Sequence, residues 1–425
     1  MTHIPKLDLF LEVNRQQIKD LSHKLGKEIG ILDKRQMRGF RLLLCNMYIQ
    51  GQRQIMLSRR KLSLGGDKYN PLDIGYKAIN ASLDALHKND YIIQKIGSHN
   101  EHTMTTIKPT DKLIQWFKDA EWSDDRIDTR VGSYVTLQET RKQNNNSVYV
   151  DFEDTKYSKW LGERIKQYNQ LLNNCKIVLP NDDELEDRVF SKFTIQRNFI
   201  KHKSIYDNAK FTFGGRMSGP WVNLSLEDRS KITINGEQTV ELERNASILN
   251  AMYQVVTGAP YPHDDDPYHI TVDGRVVPRH IAESFSSFMQ GSKSPKGVAH
   301  SVINHYKRKA TETKNPKEND IQKYEEYVEF KKDIKPTDIA NAILEKHPKV
   351  ASYYNKGRAY GDFIGCWESD IVFEVVMELT KQGIPCLTIN GSFIVPLQYK
   401  DLVDSIKDTT PYVDRRDISE VLPSV

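Results

Sequence analysis

The sequence predicts a mixed α+β chain of two or three domains, with helices and antiparallel strands in each. Three observations carry that expectation. The chain has 425 residues, well beyond the roughly 100–200 of one typical domain. A helix-periodic segment at 73–91 runs directly into two short strand-like stretches. Further on, an Asn235-Gly236 turn is followed by a strand-like run centred on 240–242 and a helical stretch that ends at Gly258.

Composition narrows the class. Hydrophobic residues make up 38% and charged residues 28%, enough for sizeable cores, and no apolar run approaches the roughly 20 residues of a membrane-spanning helix. No membrane partner is expected. The opening MTHIPKLDLFLEVNRQQ lacks the basic-then-apolar layout of a secretory signal. The four cysteines, Cys45, Cys175, Cys366 and Cys386, are scattered with no C-x-x-C pair, which indicates neither a zinc site nor a disulfide framework. A cytoplasmic setting fits this pattern best.

The net charge is +4, from 61 Lys and Arg against 57 Asp and Glu, and the sum says nothing about partners. Its distribution says more. From Lys34 to Gly66 there is no acid, while Lys34, Arg35, Arg38, Arg41, Arg53, Arg59, Arg60 and Lys61 are all basic. Such a run can neutralise several phosphates; the alternative is a solvated helix face with its acids elsewhere in the fold.

In the segment 73–91, Ile79, Leu83 and Leu86 recur at helical spacing, with Lys77, Asn80, Asp84, His87 and Lys88 mostly on other faces. Asn70 and Pro71 punctuate its start. The chain then reads YIIQKIG, turns at 97–100 and continues HTMTTIKPT, two strands joined by a short turn. Helices followed by such a ribbon resemble, in pattern, a winged helix-turn-helix. In that fold the 73–91 helix would enter the major groove, and Arg59, Arg60, Lys61, Lys77, Asn80 and Lys88 would contact DNA or RNA. Winged helices also dock proteins. A helix at 111–120 with Trp116 and Phe117 as anchors closes a basic domain at 1–120. The polar stretch ending in RKQNNNS marks 121–150 as a linker, leaving 151–425 for the remainder.

Residues 211–260 are the most informative. Gly215, Arg216 and Ser218 are followed by Asn223 and Leu224, then Arg229, then the run ELERNAS. Two later segments follow in order, RHIAESFSSFMQG at 279–291 and GIPCLTINGSFIVP at 383–396. Together these resemble the palm and fingers of family A DNA polymerases and their single-subunit RNA polymerase relatives, most nearly the polymerase-like proteins of bacterial mobile elements. The resemblance covers about 190–425. It implies an antiparallel palm sheet with helices, on which nucleotidyl transfer uses two divalent metals held by two carboxylates and a fingers lysine facing the triphosphate.

Compared residue by residue, the catalytic positions depart from that pattern. Glu243 stands where the family has its first metal-binding Asp, with Arg244 beside it to compete for the charge. Arg279 is kept in the fingers helix, but Glu283 replaces the lysine. At the hairpin, Asn390-Gly391 replaces His-Asp, so the second carboxylate is missing. Glu368 and Asp370 read as a helix-start signal for an amphipathic helix carrying Ile371, Val375 and Leu379, and the acids Asp264, Asp265 and Asp266 as a solvated loop. Arg216 and Arg279 are the better candidates for phosphate binding, unless they pair with internal acids such as Glu241 or Glu243. A second basic run, Lys293 to Lys317, suits either a retained cleft or a solvated loop.

These readings give a catalytically degenerate polymerase-like protein that binds DNA or RNA and needs no cofactor. Two alternatives stand beside it. One is a working polymerase or primase using Mg2+ through Glu243 and an atypical partner; the other is an interaction protein that regulates an active relative.

Overall fold

Leu11 and Val13 point inward with Glu12 between them, the period-two pattern of a strand with one buried face. This is β1 (Leu11–Val13), the start of the computed structural model, which describes residues 6–59, 68–98, 103–140, 147–180, 187–202, 211–312 and 317–416. After it come α1 (Gln16–Glu28), α2 (Lys34–Gln50), β2 (Ile55–Leu57), α3 (Tyr76–Lys88), β3 (Ile92–Lys95), β4 (Thr105–Pro109), α4 (Asp111–Asp119) and β5 (Ile127–Thr129). Asp33 starts α2 by accepting from the backbone N–H groups of Arg35 and Gln36. Phe40, Leu43, Leu44 and Met47 of α2 then meet Ile79, Leu83 and Leu86 of α3 in the first core. Gly39 permits this close crossing, since a Cβ there would lie 3.1 Å from the Ala78 carbonyl carbon. The strands form an antiparallel sheet in the order β2-β4-β3.

A second core begins with β6 (Val135–Thr140), β7 (Ser147–Tyr149), α5 (Lys156–Asn173), β8 (Ile177–Leu179), β9 (Arg188–Phe190), β10 (Gln196–Lys201), β11 (Gly214–Ser218), α6 (Leu226–Ser230), β12 (Thr233–Ile234) and β13 (Glu237–Glu243). A third gathers α7 (Ser247–Thr257), β14 (Thr271–Val272), β15 (Arg275–Val276), α8 (Arg279–Gly291), α9 (Pro295–Lys307), α10 (Glu318–Asp333) and α11 (Pro336–Lys346). The long α12 (Arg358–Lys381) passes between these two cores, and β16 (Leu387–Ile389), β17 (Ser392–Pro396) and α13 (Lys400–Lys407) complete the second. Strand order is β16-β17-β13-β12-β8-β9 in the larger sheet and β11-β10-β6-β7 in the smaller, whose β10–β6 pair is parallel. The chain is thus mixed α+β with several antiparallel sheets.

Three expectations need correction. The stretch 121–150 is not merely a linker: β5 pairs with β1, returning the chain to the first core, while β6 and β7 belong to the smaller sheet. Its strands are short and mostly polar, so composition hid them, although Val135, Thr136 and Leu137 are all buried. Of the basic run from Lys293, residues 295–312 are helical rather than a loop, and 313–316 lie outside the described residues. Ser294 caps α9 by accepting from the Gly297 N–H, and Val298, Val302 and Tyr306 bury one face. Finally, Glu368 and Asp370 do not start a helix. They lie in the middle of α12, which is buried nearly all round because both of its sides face a core.

Candidate functional site: a cleft between the second and third cores

Strand β13 pairs with β17 so that Glu243 lies opposite Ser392, and the two-residue turn Asn390-Gly391 closes the β16–β17 hairpin beside it. Asn390 takes a left-handed φ of 51°, which asparagine tolerates. Gly391 is crowded by two side chains: a Cβ there would lie 2.7 Å from Ser247 Oγ and 2.8 Å from Glu368 Oε1, so one of them would have to shift. Helix α8 supplies the opposite wall. Glu243, Glu283, Phe288, His305, Glu368 and Gly391 thereby come to line one cleft of about 440 Å³. The segments singled out in the sequence converge, despite separations of up to 150 residues.

Charge pairing inside the cleft differs from what the sequence suggested. Arg216 does not pair with Glu241 or Glu243; its Nη2 donates to Glu368 Oε2 at 2.7 Å and its Nη1 to Asn390 Oδ1 at 3.3 Å. Glu241 is instead gripped by Arg229 through two bonds of 2.8 and 2.9 Å. Arg279 bonds Asp266 at 3.2 Å and Glu283 at 3.4 Å and lies over the Tyr268 ring, so the residue in the lysine position is itself tied down. Asp265 accepts from Tyr261 and from Lys346, and Asp266 from Arg279, while all three acids of 264–266 remain exposed, as a solvated loop requires.

Arg244 does not compete for Glu243. Just past the end of β13 it lines the same cleft, 5% exposed, but donates to the Lys407 carbonyl at 2.8 Å and to Ser247 Oγ at 3.3 Å rather than to Glu243. Burial pulls its pKa below the usual arginine range, against the opposing fields of Glu368 and Asp408. Glu243 is exposed and its carboxylate makes no hydrogen bond or ion pair among the described residues. Glu368, by contrast, is a buried carboxylate whose charge is met by Arg216.

A two-metal reading is poorly matched by these residues. Gly391 offers no ligand, Glu368 already holds Arg216, and among the described residues no group of three or more His, Cys, Asp or Glu could hold a metal ion. Sequence reasoning gave Glu368 little weight, and nothing in its neighbourhood in sequence would have raised it. The signal lay in the pairing of a glycine at 391 with a carboxylate one helix away.

In the first core, Lys77 and Lys88 are exposed on α3. Arg59 is not free: its Nη2 donates to Asp84 at 2.6 Å and its Nε to Asn80 Oδ1 at 3.2 Å, while Asn80 Nδ2 returns a bond to the Arg59 carbonyl. Arg60, Lys61 and the tip of the 97–100 turn lie outside the described residues.

Three histidines near the cleft and in the third core respond to pH in one direction. Burial lowers the pKa of His280, His305 and His347 below the ordinary imidazole value. His347 is wholly buried between the Tyr253 hydroxyl, 3.2 Å from Nδ1, and the Pro267 carbonyl, which accepts from Nε2–H at 2.9 Å; both bonds suit the neutral ring. A depressed histidine pKa means the unfolded chain takes up protons first. Stability contributed by the neutral rings is therefore complete above about pH 6.5 and falls as pH drops below it. Urea denaturation at pH 7.5 and 5.5 is expected to show a lower midpoint at 5.5, with the difference reduced in His347→Gln. An unchanged midpoint would contradict this account.

Set against known proteins, the chain matches no family model, no curated protein and no solved structure. Among the described residues no helix is long and apolar enough to cross a membrane.

Proposed function

We propose that the chain is a nucleic-acid-binding protein with a winged-helix module and a polymerase-like palm and fingers that no longer perform nucleotidyl transfer, serving replication or its regulation on a mobile element. One observation carries the loss of chemistry: the turn position next to Ser392, the strand partner of Glu243, is a glycine packed against Glu368, whose charge Arg216 neutralises. The reversed charge at Glu283, paired with Arg279, supports it. The binding module is supported by α3 leading into the β3–β4 ribbon, by β2 completing that sheet, and by the exposed Lys77 and Lys88. Gel shifts with duplex and single-stranded DNA and RNA test the reading, and no shift at low salt would sink it.

Glu368 also motivates a second reading, because its carboxylate occupies the space that a side chain at 391 would take. On that reading Glu368 serves with Glu243 as an atypical pair in a working polymerase or primase. Template-directed incorporation that is lost in both Glu243→Gln and Glu368→Gln would establish it; no incorporation by the wild type supports degeneration.

Simple restoration of the hairpin acid is expected to fail for a steric and electrostatic reason. Gly391→Asp puts a Cβ into contact with Ser247 and a second carboxylate beside buried Glu368, so it is expected to destabilise the chain by about 1–3 kcal/mol, the usual cost of overpacking. Glu368→Gly should relieve much of that cost, giving a favourable coupling in a double-mutant cycle. Strict additivity of the two changes would rule out the proposed contact.

A further inference from the structure

The two walls of the cleft differ in chemistry. Glu243 and Glu368 stand on one side, from β13 and α12, and Glu283 joins them from α8. Elsewhere the lining is aromatic: ring centroids of Phe288 and His305 are 5.6 Å apart, those of His305 and Tyr306 5.8 Å, and those of Tyr306 and His280 5.7 Å. The array is held from behind. Tyr306 is buried, donates its hydroxyl proton to the His280 carbonyl at 2.9 Å and meets Ser284 Oγ at 2.9 Å, while Phe288 and His305 remain half-buried in the cleft wall. Lys309 and Lys323 add positive charge to the same lining.

Charge decides between ligands. The lining carries four carboxylates, Glu243, Glu283, Asp320 and Glu368, against Lys309, Lys323 and Arg244; Arg216 already pairs with Glu368 and Arg279 with Glu283, while Glu243 and Asp320 make no ion pair among the described residues. A polyanionic triphosphate seated there would set several phosphate charges against the unpaired Glu243 and Asp320 carboxylates. A nucleobase is neutral, its amino and ring N–H groups donate to carboxylates, and its π face stacks on aromatic rings. We infer that the cleft takes an unpaired nucleobase of a single strand, stacked on Phe288 and His305 with its flanking phosphates toward Lys309 and Lys323, and does not take a nucleoside triphosphate. This rests on the reading of the chain as a nucleic-acid-binding protein and adds which form of nucleic acid the cleft selects.

The test uses the full chain and a short oligothymidylate carrying one 2-aminopurine, whose fluorescence is quenched on stacking. Wild type is expected to quench it, and Phe288→Leu, which keeps an apolar side chain without a π face, to weaken single-strand binding about tenfold and abolish the quench. Duplex binding, read in parallel with a labelled duplex, should be unchanged, and an excess of dATP should not displace the oligonucleotide. His305→Leu is the second variant, with the same expectation, should Phe288→Leu misfold. Quenching and affinity preserved in these variants, or displacement by dATP, overturns the inference. Duplex binding without single-strand binding overturns it too and leaves the nucleic-acid reading standing, whereas failure to bind either at low salt removes that reading and the inference together.

Discussion

Asp370→Ala is expected to destabilise the chain by about 3–5 kcal/mol, the cost of removing one partner from a buried ion pair. Asp370 lies in the middle of α12, buried, with Arg197 of β10 at 2.5 Å on one carboxylate oxygen and Arg416 at 2.7 Å on the other. Arg197 is 1% exposed, so without Asp370 its guanidinium keeps only the Gly215 carbonyl at 2.6 Å and Ser369 Oγ at 3.3 Å. Arg416 keeps the Phe211 carbonyl at 2.8 Å and Asp414 at 3.1 Å. The buried Arg197 would then face Arg416 with no counter-ion of its own, while Arg416 would keep only the more exposed Asp414. Arg416→Ala should cost less, because Asp370 would retain Arg197. The check is denaturant unfolding followed by circular dichroism, and an Asp370→Ala midpoint equal to wild type would show that the triad does not hold α12 to the smaller sheet.

Neutralising Lys77 and Lys88 together, as Lys77→Gln and Lys88→Gln, is expected to weaken duplex binding about 60-fold at 0.1 M salt, taking 1 M as the reference. The figure follows from counterion release: each phosphate contact contributes a slope of about 0.9 in log K against log salt, so losing two should flatten the slope by about 1.8. Both residues are exposed on α3, away from the buried Ile79, Leu83 and Leu86, so the fold should be undisturbed. Asp84→Asn should act in the opposite sense, since it removes an acid from the same face and frees Arg59 from its 2.6 Å bond. An unchanged salt slope in the double variant would remove α3 as the duplex-binding face.

Local signals in the sequence were sufficient wherever one element was decided by its own residues. The helix at 73–91 was legible from Ile79, Leu83 and Leu86, the hairpin from Asn235-Gly236, and α7 from the glycine that ends it at 258. These depend on side-chain period and turn geometry, which act within a few residues. The strands of 127–149 were not legible, because their pairing partners are β1 and β10, and a short polar strand has no signature until its partner is known.

The candidate site shows the same division more sharply. That position 391 has no side chain, that position 283 carries a negative charge and that Glu243 ends a strand next to a helix are all legible in the residue order alone. So are the three segments and their order. Only the tertiary structure decided which groups meet: Arg216 with Glu368, Arg229 with Glu241, Arg279 with Asp266, and a carboxylate from the centre of α12 in the space beside Gly391. Electrostatic partners are chosen by distance in the folded chain, and in a buried site a separation of a few ångströms outweighs any separation in sequence. The loss of one acid from the hairpin could be read from a string of letters; the arrival of another from a helix could not.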